Sequence, residues 1–273
     1  MKHDIYLLQN LTEDISLVPL IILLMTFFIS LTYICALVSS YLFPNINFAE
    51  NKKSVDSAMR LLATGYLFLM VFIIVNAWNY KEEARRAVSR EASDLSIILR
   101  SIHAFPEAEQ TKLYSVIANY VIDVRTAEWQ EMKRGEESPY AYEKLENLFT
   151  ALQEYQPRTY QEKIYHKLAI DMLNELIQAR RDRISKMESI IPHSLMNIFF
   201  WASVTLTCLL GMIRGKDTLS QLSPVLIFAA ILGFDLAIAL DFDYPFTGSS
   251  AVNNRVYYQG ALGRIKDPAI FRP

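Results

Sequence analysis

The chain has 273 residues, of which 52% are hydrophobic, with a mean hydropathy of +0.16 and a formal net charge of −2. The apolar residues fall into four blocks, a pattern typical of membrane spans and not of a single soluble core. The basic residues are scattered and form no dense patch, so the composition excludes nucleic acid as a partner. Both cysteines lie inside apolar blocks, which excludes the disulfide framework of a secreted protein.

The first two apolar blocks predict a transmembrane hairpin over residues 16–80. The first block covers residues 16–43 without a charged residue and is followed by Pro44. Roughly 20 residues suffice to cross the hydrocarbon, so this block can span with tilt. The second block covers residues 58–79 and ends beside aromatic residues suited to the headgroup region. Residues 1–15 carry more acidic than basic residues, unlike a secretory signal, so we interpret them as a tail before a retained helix.

The last two apolar blocks predict a second hairpin over residues 192–240. They cover residues 193–213 and 219–240, and the basic turn between them is so short that the two helices must be antiparallel. Four spans place both termini and the intervening region on one side of the membrane. More Lys and Arg residues flank the spans on that side, which favours a cytoplasmic position in a bacterial plasma membrane under the positive-inside rule. The density of basic residues in the short hairpin loops favours the opposite orientation.

The region between the hairpins, residues 81–191, predicts an extramembrane domain of four helices. The first helix continues the second span without a break, and the polar stretch 133–138 is the clearest loop. The expected helices cover residues 81–103, a stretch beginning at Pro106, residues 139–155 and residues 159–191. Residues 241–273 are too short for a further domain, and we expect this tail to lie against the central helices. The predicted fold class is an all-α integral membrane protein.

The chain lacks the common catalytic and metal-binding motifs. None of its four histidines occurs at a metal-ligand spacing, and it contains neither a phosphate-binding glycine-rich loop nor a nucleophile elbow. We therefore expect no enzymatic activity, no cofactor and no metal site.

An acidic residue, Asp235, lies inside the fourth span between Phe234 and Leu236. A carboxylate at membrane depth costs roughly 2.5–3.5 kcal/mol on insertion scales, so it normally faces protein, water or an ion path. Three interpretations remain open. The carboxylate is satisfied by a hydroxyl such as that of Thr205 or Thr207, it serves ions or protons, or it lies near a lipid interface.

The second span carries residues at near-helical spacing: Thr64, Phe68, Phe72, Asn76 and Asn79 or Tyr80. If this face lined a central axis, two rings of phenylalanine would form a hydrophobic constriction with a ring of amides beyond it. Constrictions of this kind gate by dewetting. The alternative is that the phenylalanines pack against the first span or lipid, and spacing alone does not separate the two.

Three stretches of the chain carry a family resemblance. They are Glu91–Leu95 leading to Tyr120 and Glu128-Trp129, Arg180–Ile184 leading to Ile191-Pro192, and a post-span motif of Asp241, Asp243, Pro245, Phe246 and Gly248. With the layout of two spans, a helical region and two more spans, they resemble the bacterial bestrophin-like proteins, a family loosely related to bestrophin anion channels.

The resemblance implies a homo-oligomer, pentameric if it follows bestrophins, with the second span around a central pore and the domain in the cytoplasm. The acids of the post-span motif do not match a bestrophin calcium clasp, so no calcium site is assigned to them. The leading hypothesis is an oligomeric channel for small anions. Its expected partners are further copies of the same chain, membrane lipid and small inorganic ions. The alternative is a membrane-anchored scaffold or sensor whose helical domain binds a protein partner.

Overall fold

The computed structural model describes residues 16–42, 52–213 and 219–266. In these ranges the chain is helical and contains no strand, which confirms the all-α prediction. The helices are α1 (Leu17–Leu42), α2 (Lys52–Ser101), α3 (Glu107–Asp123), α4 (Trp129–Lys133), α5 (Pro139–Glu154), α6 (Tyr160–Ser185), α7 (His193–Ile213) and α8 (Leu219–Asp243). One turn of π-helix, Val124–Glu128, joins α3 to α4, and short 3₁₀ turns cover Ile102–Ala104, Arg255–Tyr258 and Leu262–Arg264.

Four of these helices are long and apolar enough to cross a membrane: α1, the first half of α2, α7 and α8. The four predicted spans are therefore confirmed, and α7 has the predicted bounds. Helix α8 extends three residues further than predicted, to Asp243. The predicted N-terminal tail, the basic turn between the third and fourth spans, and residues 267–273 lie outside the described residues.

The chain divides into two compact units. A span unit contains residues 1–80 and 189–251, and an extramembrane unit contains residues 81–188 and 252–273. Helix α2 contributes to both, because it runs without interruption from Lys52 to Ser101, as predicted for its second half.

In the span unit, α1 packs against α7 and α8 through close backbone approaches. A Cβ atom added at Gly233 would lie 2.7 Å from the carbonyl oxygen of Leu24, and one added at Gly211 would collide with the carbonyl of Thr32. The Ser39 hydroxyl donates a hydrogen bond of 2.7 Å to the carbonyl of Met212. Small residues at helix crossings and hydroxyls between helices are the usual means of association in lipid, where apolar burial supplies little driving force.

Helix α2 buries one face within the span unit. Met59, Tyr66, Met70 and Ala77 belong to one apolar cluster with residues of α1, α7 and α8. The other side chains of this cluster with little exposure are Phe28, Ile191, Met196, Phe199, Leu206, Ala229, Leu232, Leu236 and Ala239. The packing of α2 therefore leaves its opposite face uncovered within one chain.

In the extramembrane unit, α6 is shorter than predicted. The sequence predicts a helix to Ile191, but α6 ends at Ser185, and Lys186 has left the helical region with φ −99° and ψ 12°. Pro192 disfavours helical geometry at the residue before it. The backbone N–H of Ile191 instead donates a hydrogen bond of 2.8 Å to the carboxylate of Asp243. The start of α3 also differs by one residue, because Pro106 is its N-cap and not its first residue.

The close approach of α8 to α1 gives the first testable prediction. Gly233→Ala forces a methyl group against the backbone of Leu24, and overpacking of this kind costs about 1–3 kcal/mol. We expect a lower midpoint of thermal unfolding for the detergent-purified protein, measured by loss of the main size-exclusion peak after heating. Gly65→Ala is the matched control, since a Cβ at Gly65 meets nothing within 4 Å of the chain. Equal midpoints for both variants would contradict the packing argument.

Candidate functional site

Five residues of the second span lie on the uncovered face of α2, and we call them the α2 stripe: Thr64, Phe68, Phe72, Asn76 and Asn79. Phe68 is 74% exposed and Phe72 is 64% exposed within one chain. Thr64, Asn76 and Asn79 are exposed as well. The helix therefore presents two large apolar rings and three polar side chains outward, while Met70 and Ala77 on its other side are buried.

The amide at Asn76 is fixed by its own helix. Its Nδ2 atom donates a hydrogen bond of 2.9 Å to the carbonyl of Phe72, one turn earlier. This bond holds the side chain along the helix axis. The amide therefore follows directly after the aromatic ring of Phe72 along the exposed face.

Behind the α2 stripe, a chain of hydroxyls joins α2 to α7. The Ser203 hydroxyl donates to the carbonyl of Phe199 at 2.8 Å, so its oxygen accepts the hydrogen bond from the Tyr66 hydroxyl, at 2.5 Å. Tyr66 is a buried residue of the span unit. A hydrogen-bonded phenol in this position ties the buried face of α2 to α7 without an unsatisfied polar group in the hydrocarbon.

Asp235 lies half-buried on α8. The hydroxyls of Thr205 and Thr207 donate to backbone carbonyls of α7, Thr205 to Trp201 at 2.8 Å and Thr207 to Ser203 at 2.7 Å. Neither threonine therefore has a hydroxyl proton left for Asp235, and the role of this carboxylate stays a prediction.

The post-span motif forms a tight corner at the end of α8. Asp243 is buried and accepts hydrogen bonds from the Ser189 hydroxyl at 2.7 Å and from the N–H of Ile191. Asp241 is also buried and accepts from the Ser250 hydroxyl. Pro245 and Phe246 are buried, and Gly248 has a φ of +79°, which suits glycine. The bonds made by the two acids connect segments of the chain around this corner.

No group of three or more His, Cys, Asp or Glu side chains that could hold a metal ion occurs in the described residues.

A network of buried charges lies in the extramembrane unit, and sequence reasoning did not assign it. Arg183 is fully buried, and its guanidinium contacts the Glu91 carboxylate at 2.5 and 3.0 Å and the Glu128 carboxylate at 2.6 Å. Arg180 also contacts Glu128, at 2.6 Å, and the Tyr120 hydroxyl donates to Glu91 at 2.8 Å. These five residues are the buried ion network.

All five members come from the stretches that carry the family resemblance. Glu91 is on α2, Tyr120 on α3, Glu128 in the π-helical turn, and Arg180 and Arg183 on α6. Their separation in sequence conceals the cluster, because the two pairs joined by Arg183 are 92 and 55 residues apart. These stretches were therefore the signal in the sequence that could have indicated the network, although the sequence alone assigned no role to their charged residues.

The described end of the tail is held by another buried arginine, Arg125. Its guanidinium donates to three backbone carbonyls of the tail, those of Tyr257, Leu262 at 2.8 Å and Ile265 at 2.9 Å. In return, Asn254 donates its amide to the carbonyl of Arg125 at 3.0 Å. Residues 254–265 of the tail therefore lie against the central helices, as predicted.

The electrostatics of the buried ion network follow from burial and charge pairing. Burial alone would raise the pKa of Glu128, but the guanidinium groups of Arg183 and Arg180 outweigh it and hold this pKa below 4.5. Burial raises the pKa of the Tyr120 hydroxyl well above 10, and the nearby carboxylates raise it further. These shifts favour an ionised Glu128 between two arginine cations and a neutral Tyr120 phenol.

Comparison with known proteins gives one family and one fold. The family model for the bestrophin-like domain matches residues 26–257. A crystal structure of a bacterial bestrophin homologue from Klebsiella pneumoniae is similar with a TM-score of 0.64 and 14% identity, over 90% of this chain and 94% of that one. A single-substitution variant of that homologue is similar with a TM-score of 0.66 and 14% identity, over 92% and 96%. No curated protein matches significantly.

Removal of one charge from the buried ion network should destabilise the extramembrane unit strongly. Arg183→Met leaves Glu91 buried without a cationic partner and removes one of the two arginines from Glu128, and breaking such a pair costs about 3–5 kcal/mol. Arg181→Met is the matched control, because Arg181 is exposed on the same helix. Thermal unfolding in detergent should show a large drop for the first variant and little change for the second. An Arg183→Met protein as stable as the control would contradict the assignment.

Acid should weaken the same network through Glu128. A carboxyl group with a lowered folded-state pKa contributes stability that is present above its unfolded pKa and is lost as the pH falls through the folded pKa. The unfolding midpoint should therefore fall as the pH drops below about 4.3, the ordinary pKa of a glutamic acid. Glu128→Gln should be less stable at neutral pH and show a shallower acid decline, measured by thermal unfolding across the same series. Parallel declines would mean that other acids dominate.

Proposed function

The chain belongs to the bestrophin-like family, and from this we propose that it assembles as a homo-oligomeric ion channel in which α2 surrounds the pore. The observation that carries the proposal is the division of α2 into two faces. One face packs within the span unit, and the other leaves Phe68 and Phe72 largely exposed in a single chain. An exposed aromatic pair in the middle of a span is explained if copies of α2 face one another around an axis.

In this arrangement the α2 stripe supplies the parts of a gate. Rings formed by Phe68 and Phe72 make a narrow apolar segment from which water withdraws, and a ring of Asn76 amides follows it. The hydrogen bond from Asn76 to the Phe72 carbonyl sets the distance between these layers. The Tyr66 hydroxyl, on the opposite side of the helix, anchors α2 to α7.

We further propose that the channel lies in a bacterial plasma membrane with the extramembrane unit in the cytoplasm. The count of basic residues flanking the spans supports this orientation. Small inorganic anions are the proposed cargo, on the strength of the family alone. A pentamer is the proposed assembly, for the same reason.

The first experiment is a recording from purified oligomer in planar bilayers under asymmetric potassium chloride. Discrete currents with a reversal potential close to that of chloride would support an anion channel. A reversal potential close to that of potassium would retain the pore and reverse its selectivity. Silence across voltage and pH, from protein shown to be folded and oligomeric, would favour the scaffold hypothesis.

Phe72→Ala tests the gate. The variant replaces a ring of phenylalanines by methyl groups, so the apolar segment widens and water fills it more readily. We expect a higher open probability and a larger unitary conductance in single-channel recordings. Phe234→Ala is the matched control, since Phe234 is also partly exposed in a span but lies on α8.

Asn76→Leu provides a second readout on the same face. It should extend the apolar segment and close the pore or lower its conductance. Unchanged conductance and gating in both Phe72→Ala and Asn76→Leu would show that the α2 stripe does not line a pore.

A further inference from the structure

The exposed face of α2 continues beyond the span. After Asn79, the exposed residues Glu83, Arg86 and Arg90 follow at the same spacing of three or four residues. An α-helix turns about 100° per residue, so 18 residues make five full turns and about 27 Å of rise. On the uninterrupted helix α2, Arg86 therefore has the angular position of Phe68, and Arg90 that of Phe72.

The charges on this face differ in how far they are neutralised. Glu83 pairs with Lys186 at 2.6 Å, and Arg90 pairs with Asp182 at 2.9 Å. The Glu82 carboxylate is bonded to Arg85 at 3.0 Å and lies 4.0 Å from the Nε atom of Arg86.

Arg86 is therefore the least neutralised cation of this face. Its side chain is 72% exposed, and within the described residues its ion-pair contact is the 4.0 Å approach of its Nε atom to Glu82. Side chains of this kind bind anions through charge-assisted hydrogen bonds.

Arg86 also borders space in which an anion can lie. An open groove of about 750 Å³ lies in the extramembrane unit. Its lining residues are Glu82, Glu83, Arg85, Arg86, Ser89, Arg90, Asp182 and Lys186. The donors in this groove are more numerous than its acids, and the Ser89 hydroxyl adds a neutral donor beside Arg86.

We propose that Arg86, supported by Arg90, is the residue that concentrates small inorganic anions at the domain-side mouth of the pore. The proposal rests on the proposed function, because only an oligomer around α2 brings copies of Arg86 together as a ring. A ring of like charges at the mouth of a low-dielectric channel raises the local anion concentration by about 10–10³-fold. Selectivity then arises before the apolar segment, which itself carries no charge.

The test is the chloride-to-potassium permeability ratio, obtained from the reversal potential of the full-length oligomer in a potassium chloride gradient. Arg86→Glu should lower this ratio about tenfold at low salt, where the field of the ring reaches into the pore. The effect should shrink at about 1 M salt, where the Debye length is about 3 Å. Arg181→Glu is the matched control, with the same charge change at an exposed residue of α6 that is not among the residues lining the groove.

Each outcome decides the proposal. Equal ratios in wild type, Arg86→Glu and Arg181→Glu, or equal shifts in both variants, overturn the role of Arg86 and leave the channel intact. A silent wild-type oligomer overturns the channel and this role together. If Arg86→Glu does not yield an oligomer, Arg86→Lys and Arg86→Gln decide: the ratio is kept by lysine and lowered by glutamine if the charge is responsible, and the proposal fails if both behave alike.

Discussion

The extramembrane unit depends on the pairing of Arg183 with two carboxylates. A guanidinium and two carboxylates without contact to water are costly to bury, and the cost is offset only when every charge is paired with good geometry. Here Arg183 bridges Glu91 and Glu128, Arg180 takes the second oxygen of Glu128, and Tyr120 donates to Glu91. Because these residues come from α2, α3, the π-helical turn and α6, the pairing fixes the mutual position of four segments at once.

Helix α2 links this pairing to the candidate pore. Glu91 lies on the buried side of α2, and Arg86 and Arg90 lie on the exposed side. Rotation of this part of the helix about its axis would remove Glu91 from Arg183, so within the extramembrane unit the network also fixes which residues of α2 point outward.

The spans and most helix ends could be predicted from the sequence because hydropathy and proline positions are local properties. The end of α6 was predicted too late. The helix stops at Ser185, and Ile191 donates its N–H to the Asp243 carboxylate, a partner 52 residues away that no local pattern indicates. For the α2 stripe, periodicity predicts a common face and the structure places that face outward. What that face contacts remains a prediction.

The contact between Arg125 and the tail has a consequence for how the chain tolerates change. The guanidinium binds main-chain carbonyls of Tyr257, Leu262 and Ile265, which every amino acid possesses. A substitution at one of these acceptor positions therefore does not by itself remove the hydrogen bond, provided that the local path of the backbone is kept. Insertions and deletions are different, because they shift the register of all three carbonyls together. The bonds of Arg125 are thus indifferent to side chains and strict in length, although burial still constrains the side chains of Tyr257, Leu262 and Ile265. Arg125 itself cannot be exchanged for lysine without losing the fork of donors.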